Sequence, residues 1–284
     1  MKILYILSDV RSGSTLLENI FSSANHIKSV GELCYLGSYL NKWSVGESTN
    51  WKCSCGKDFQ DCEYWKNVLD LLKEKGHSKI TDTKIIKTFN TFHTRVNITD
   101  FNKNKEIVKL LNDVYTTVFD LDECEIIVDS SKDESQLLAL YKQIDFDIKV
   151  VYIKRDIRAV TSSKLKWSIK REKKKINKFK ILILSKLKTF RQKSVLKHVD
   201  DKDKIFIKYE ELARYPQETI NQITQKFNLE KIKVPEYMEQ RDEHAIAGTP
   251  NRSKKRKIQY DDSWVIESKK NFLFHIVGNF FDRI

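Results

Sequence analysis

Apolar residues in this chain fall in short dense runs, and between those runs they recur at helical spacing. Residues 2–7, 125–129, 148–153 and 204–209 are compact and rich in Ile and Val, which predicts four buried strands. Helical period predicts 14–24, with Leu16, Leu17, Ile20 and Phe21 on one face, then 67–75, 105–119, 134–142 and 156–169. A further helix is predicted from Pro216, whose fixed φ suits a first helical position, through Ile220, Ile223 and Phe227. Strands alternating with helices are the pattern of βαβ units, so the expectation is an α/β fold around a central parallel sheet. A polar, aromatic and Cys-containing stretch, 41–66, interrupts the alternation, and no internal repeat is present.

Composition narrows the class. With 284 residues, 40% hydrophobic and 32% charged, the chain has apolar material for a sizeable core, which excludes a disordered or low-complexity protein. A single domain over 1–284 is expected, since no stretch is rich enough in Pro and Gly to be a linker. No run of 18 apolar residues exists, and the apolar run Ile3 to Leu7 is too short for a signal-peptide core, so the expectation is a soluble, cytoplasmic protein.

The formal net charge is +13, and its placement changes the picture. Segment 164–204 holds sixteen Lys and Arg against four Asp and Glu, so it carries +12 and leaves the rest nearly balanced. Ile176, Phe179, Ile181, Leu182, Ile183, Leu184 and Leu187 are set among its lysines at a spacing that predicts an amphipathic helical insertion. In one reading the aliphatics pack on the core while lysines face water. In the other the segment edges a binding site and attracts an anionic ligand, or rests on an anionic membrane. Nucleic acid is not expected as a partner. Only Trp167, Phe179 and Phe190 offer stacking surfaces there, and no nucleic-acid module is present.

The turn from the first strand into the first helix carries the first chemical signal. A strand that turns through small residues into a helix aims backbone N–H groups and the positive helix end at one point, which suits a phosphate-like anion. Against the nucleotide-triphosphate loop G-x-x-x-x-G-K-[ST], Gly13 and Thr15 fit, but Ser8 replaces the first Gly and Ser14 replaces the Lys. A kinase or NTPase is disfavoured on that ground.

Arg11-Ser12-Gly13-Ser14-Thr15-Leu16-Leu17 resembles instead the 5′-phosphosulfate loop of sulfotransferases, which use 3′-phosphoadenosine 5′-phosphosulfate (PAPS). The run from Val150 to Ser163 resembles that family's 3′-phosphate segment, a strand ending in Arg-Asp-x-Arg with a Ser eight residues after the first Arg, here Arg155 and Ser163. Val128-Asp129-Ser130-Ser131-Lys132 is similar to the Asp-Ser-Ser-Lys turn of bacterial and tyrosylprotein-type members. Lys208-Tyr209-Glu210-Glu211-Leu212 is similar to their Tyr-Glu-Asp-Leu segment. The run from His244 to Arg252 is similar to a loop near the C-terminal cofactor lid, with Thr249 departing from the usual Asn. The resemblance covers about 3–264 and implies a P-loop-like, three-layer αβα fold with 241–264 covering the cofactor.

The resemblance further implies PAPS as cofactor, with 3′-phosphoadenosine 5′-phosphate (PAP) as product and no metal required, and a hydroxyl-bearing acceptor: carbohydrate, lipid-linked glycan, tyrosine or small metabolite. Arg11, Ser12, Gly13, Ser14 and Thr15 would hold the 5′ side, Arg155 and Ser163 the 3′-phosphate, with Tyr209 and Arg252 also at the cofactor. Sulfuryl transfer is an in-line displacement in which positioning and charge stabilisation do most of the work, so Arg11 and Lys132 are expected near the leaving phosphate. Glu32, in a Gly-Glu pair 21 residues after Arg11, is expected as general base, with His26 and His93 as rivals. Cys53, Cys55 and Cys62 are one ligand short of a closed zinc site, which Cys34 or His77 would have to complete. The expectation is reduced thiols in a substrate-covering loop.

Overall fold

The computed structural model describes residues 1–44, 52–78, 80, 105–172, 176–238, 243–248 and 255–283. Among them, β1 (Lys2–Ser8), β2 (Ile27–Gly31), β3 (Ile126–Asp129), β4 (Asp147–Lys154) and β5 (Lys204–Lys208) form a parallel sheet in the order β2-β3-β1-β4-β5, flanked by helices. Strand β1 is central, and Ile3, Leu4, Tyr5, Ile6 and Leu7 are fully buried, as a strand covered on both faces requires. The α/β expectation therefore holds, with helices α1 (Ser14–Phe21), α2 (Leu36–Ser44), α3 (Glu63–Glu74), α4 (Lys105–Asp122) and α5 (Glu134–Gln143) in chain order.

Contacts divide the chain into two compact units. The first comprises Met1–Ile6, Thr15–Val150 and Val234–Lys257; the second comprises Leu7–Ser14, Val151–Lys233 and Ile258–Ile284. In the first, β3 pairs in parallel with β1, from Lys2↔Ile126 to Tyr5↔Asp129, and with β2, from Ile27↔Ile126 to Gly31↔Asp129, with a register shift between Ser29 and Gly31. Strand β2 was not foreseen. Its sequence Ile-Lys-Ser-Val-Gly lacks a dense apolar run, because its buried Ser29 faces a polar partner, Glu18, rather than the apolar core.

The second unit is built on α6 (Ile157–Glu172), α7 (Lys178–Leu196), α8 (Tyr209–Arg214), α9 (Pro216–Lys226), α10 (Ser263–Lys269) and α11 (Phe272–Arg283). Pro216 takes the first turn of α9 as predicted. Ile157, Leu182 and Phe274 form an apolar cluster against which Phe179, Val277 and Phe281 pack. Helices α10 and α11 were not anticipated.

The basic segment departs from a simple amphipathic pattern. Ile181, Leu182, Val195 and Leu196 are buried in α7, but Ile183, Leu184, Leu187 and Phe190 are about half exposed, at 50, 54, 53 and 49%. Lys186 turns inward instead, its Nζ donating to the Phe281 carbonyl at 2.6 Å. Buried Ser185, Lys186 and Gln192 share the inner face with those four aliphatics, which leaves the other aliphatics on the outer one. Residues 173–175, which carry three of the lysines, lie outside the described residues.

Candidate active site

In the first unit, the turn after β3 is fixed by buried polar groups. Asp129 accepts hydrogen bonds from the Ser131 amide at 2.6 Å, from Gln136 Nε2 at 2.9 Å and from the Tyr115 hydroxyl. Burial is the largest influence on its carboxyl and pushes it up to about 6, with the bonds from Ser131 and Tyr115 opposing. Ser130 donates its hydroxyl to Glu18 Oε2 at 2.7 Å and its amide to the Gly31 carbonyl at 2.8 Å. Ser131 Oγ accepts from the Cys34 amide at 3.0 Å. Held at both flanks, the chain passes through a left-handed conformation at Lys132, φ 60°. Sparsely populated backbone of this kind persists where surrounding bonds over-determine it.

Lys132 Nζ meets Glu32 Oε1 at 2.8 Å. Glu32 precedes a short 3₁₀ turn (Leu33–Tyr35) without capping it through its side chain, so the carboxylate serves the lysine rather than the helix end. Its backbone is set by a close crossing: the Glu32 amide donates to the Ile246 carbonyl at 2.8 Å and the Ile246 amide to the Val30 carbonyl at 2.9 Å. Gly31, at φ 74°, makes the crossing possible, since a Cβ there would run into the Ile246 backbone. His26 sits just before β2, at the opposite end of that strand from Glu32. His93 lies outside the described residues.

In the second unit, the loop after β1 packs against the segment expected at the 3′-phosphate. Arg11, also left-handed at φ 73°, donates from Nε to Ser163 Oγ at 2.9 Å, and Arg155 Nη1 donates to the Arg11 carbonyl at 3.0 Å. The Arg155 guanidinium lies 4.2 Å over the Tyr209 ring and 3.6 Å from Asp261 Oδ2. Tyr209 in turn packs on Gly13, where φ is 95° and a Cβ would strike its ring. Burial raises the Tyr209 phenol, Arg155 opposing, which keeps the hydroxyl protonated. Ser12 and Ser14 are buried in the loop itself, while Thr15, likewise buried, belongs to the first unit. Arg252 lies outside the described residues.

Sequence reasoning missed the supports of this loop. Lys164 Nζ reaches Asp9 Oδ2 at 2.6 Å and Ser185 Oγ at 2.8 Å, while Asp9 Oδ1 accepts from the Val10 amide at 2.8 Å. Gln192 Nε2 of α7 donates to the Ser8 carbonyl at 2.6 Å. The basic segment therefore buttresses the loop, a link that no local pattern announces. Asp156 pairs with Arg158 at 2.5 Å, which leaves Arg155 to the loop and Tyr209.

The cysteines also differ from expectation. Cys34 Sγ donates to the Ser131 carbonyl at 3.5 Å, and His77 Nε2 pairs with Asp113 Oδ2 at 2.7 Å, so neither completes a cluster. The residue that joins Cys53, Cys55 and Cys62 is His244.

The sequence model of the sulfotransferase family matches residues 4–233. Comparison with curated proteins gives no match. Among solved structures, the fold resembles the sulfotransferase domain from the curacin biosynthetic pathway, at a TM-score of 0.56 and 18% identity, covering 94% of this chain and 90% of that one. It also resembles the sulfotransferase domain from the Synechococcus PCC 7002 olefin synthase, at a TM-score of 0.56 and 14% identity, covering 99% and 94%.

Proposed function

The chain belongs to the sulfotransferase family, and from that premise we propose that it transfers a sulfuryl group from PAPS to a hydroxyl of its acceptor, with Glu32 as general base. The observation that carries the cofactor reading is the union of Arg11, Ser163 and Arg155, drawn from two segments far apart in sequence that both resemble cofactor motifs. Arg155 Nε is buried and meets no hydrogen-bond partner among the described residues, a donor that fits an anionic group.

When bound, PAPS supplies the sulfuryl group and a phosphate leaving group. Arg11, Ser12, Gly13, Ser14 and Thr15 would hold its 5′ side, and Arg155 and Ser163 its 3′-phosphate, with Tyr209 bracing both Gly13 and Arg155. Glu32 takes the proton from the acceptor hydroxyl at its carboxylate. Lys132 directs one of its three N–H donors at Glu32 and would offer positive charge to the leaving phosphate. Incubation with radiolabelled PAPS and fractionated cell extract tests the reading. Label appearing in a hydroxyl-bearing product supports it, and Mg-dependent ATP hydrolysis without sulfuryl transfer overturns it.

The exposed Ile183, Leu184, Leu187 and Phe190 support a second part of the reading, peripheral contact with an anionic membrane. They lie on one outer face of α7 between exposed Lys180 and Arg191, the arrangement of a helix resting in a headgroup layer. No described helix is long and apolar enough to cross a membrane.

A further inference from the structure

Four side chains of the first unit converge away from the Glu32–Lys132 pair. Cys53 Sγ, Cys55 Sγ, Cys62 Sγ and His244 Nδ1 all lie within 4.8 Å of one another. The separations are 3.6 Å for Cys53–Cys62, 3.9 Å for Cys55–Cys62, 3.7 Å for Cys53–His244 and 3.2 Å for Cys62–His244. Zinc bonds of about 2.3 Å to sulfur and 2.0 Å to nitrogen give tetrahedral ligand spacings of about 3.5–3.8 Å, and the four separations lie within about 0.3 Å of that range. Three of the ligand atoms come from one short segment, and the fourth stands 182 residues beyond Cys62.

The surroundings are built to hold the four ligands still. Around the first sulfur the chain makes a tight turn, with the Gly56 amide donating to the Cys53 carbonyl at 2.9 Å and the Cys53 amide to the Lys57 carbonyl at 3.0 Å. Cys62 precedes α3 at its N-terminal end. The Tyr64 ring stacks on the His244 ring at 4.6 Å and 5°, and Trp65 Nε1 donates to the His244 carbonyl at 2.6 Å. Ser54 ties both sides together: its amide donates to the Ala245 carbonyl at 3.2 Å, its hydroxyl to the Glu243 carbonyl at 2.5 Å, and it accepts from the Ala245 amide at 2.9 Å.

We propose that Cys53, Cys55, Cys62 and His244 form a closed, four-coordinate structural zinc site. Three thiolates and one imidazole in tetrahedral array select zinc over magnesium or calcium, which take oxygen ligands. All four positions belong to the protein, so the metal has no open position for substrate. Binding moves the three thiol protons to solvent and leaves a centre of net charge −1. The ion clamps 52–62 to 243–246, the same strip whose Ile246 crosses Gly31 and sets the Glu32 backbone. The proposal stands apart from the sulfuryl-transfer reading and does not depend on it.

The test is metal content and cobalt substitution of the full-length, reduced protein. About one zinc per chain is expected after purification, and cobalt in its place should give the intense visible bands of a tetrahedral thiolate centre. Cys62→Ser and His244→Ala should each weaken zinc affinity at least about tenfold, while Cys124→Ser, altering a cysteine outside the cluster, should leave stoichiometry unchanged. If either ligand variant fails to fold, the wild-type cobalt spectrum and its loss on chelation decide. Uptake below about a tenth of an equivalent of either metal, an octahedral cobalt spectrum, or full affinity in a folded Cys62→Ser protein overturns the proposal.

Discussion

Lys132 and Glu32 form a buried ion pair across the C-terminal ends of the neighbouring strands β3 and β2, with side chains only 4 and 12% exposed. A buried charge that loses its partner is left uncompensated, so the pair acts as one unit in which neither member is replaced without disturbing the other. Glu32→Gln keeps the shape and a hydrogen bond to Lys132 while removing the base. It should lower kcat by at least about 100-fold with PAP affinity nearly unchanged. Lys132→Ala should lower kcat as well and also reduce stability. Full turnover in Glu32→Gln with loss of turnover in His26→Ala would move the base to the histidine.

Discrimination between PAP and AMP should rest on Arg155 and Ser163. PAP should raise the Tm of the wild type by mass action, with AMP and ATP doing so weakly. Ser163→Ala removes the acceptor for Arg11 Nε and should abolish most of the preference for PAP. Arg155→Ala should do the same and also loosen the loop, because its guanidinium holds the Arg11 carbonyl and covers Tyr209. Equal shifts with PAP and AMP in the wild type would sink the cofactor assignment.

Asp129 predicts a pH dependence of stability. Its carboxyl sits at about 6 in the folded protein against 3.8 for an ordinary Asp, so the native state binds this proton more tightly than the unfolded chain. The resulting stabilisation is complete below pH 3.8 and is lost as pH rises through about 6. Its full size is of order 3 kcal/mol, from about two pKa units. In Asp129→Asn that slope should vanish, measured as the difference between the two proteins' denaturation free energies from pH 4.5 to about 7.5. Parallel curves over that range would contradict the assignment.

Gly31 and Gly76 both adopt positive φ, at 74° and 94°, but only Gly31 faces backbone where a Cβ would stand. Gly76→Ala should cost about 1 kcal/mol for the conformation alone. Gly31→Ala should cost more, about 3 kcal/mol, because Ile246 must move, and should lower kcat through Glu32. Equal Tm losses in the two variants would remove the crossing as a determinant.

The outer face of α7 should bind anionic vesicles at low salt and release them as salt screens the charge over about 10 Å at 0.1 M. Leu184→Ser with Leu187→Ser should weaken binding at any salt, and Lys180→Gln with Lys188→Gln chiefly its salt-sensitive part, with PAP binding untouched. No vesicle binding by the wild type at low salt would end the membrane reading.

Strands β1 and β4 and the loop between Ser8 and Thr15 were legible because dense apolar runs and small residues write their signal locally. Strand β2 was hidden because Ser29 is buried against Glu18 and not against apolar side chains. The fourth member of the cysteine cluster could not be found by local spacing, since His244 stands 182 residues beyond Cys62. The mixed inner face of α7 was likewise invisible: an inward Lys186 is sensible only once the Phe281 carbonyl is known to await it. Glu32 and Lys132 were named from resemblance, but their ion pair depends on the β2–β3 register, which sequence pattern alone did not specify.

The crossing of Ile246 over Gly31 has a further effect on how the molecule keeps to itself. In the order β2-β3-β1-β4-β5, β2 is an outermost strand, and its free side would offer unpaired N–H and C=O groups to any other chain. Ile246 answers those groups at Val30 and Glu32 through their backbone. A chain cut before residue 243 would uncover that edge as a template for intermolecular pairing, so the strip that sets the Glu32 backbone also serves as a guard against aggregation.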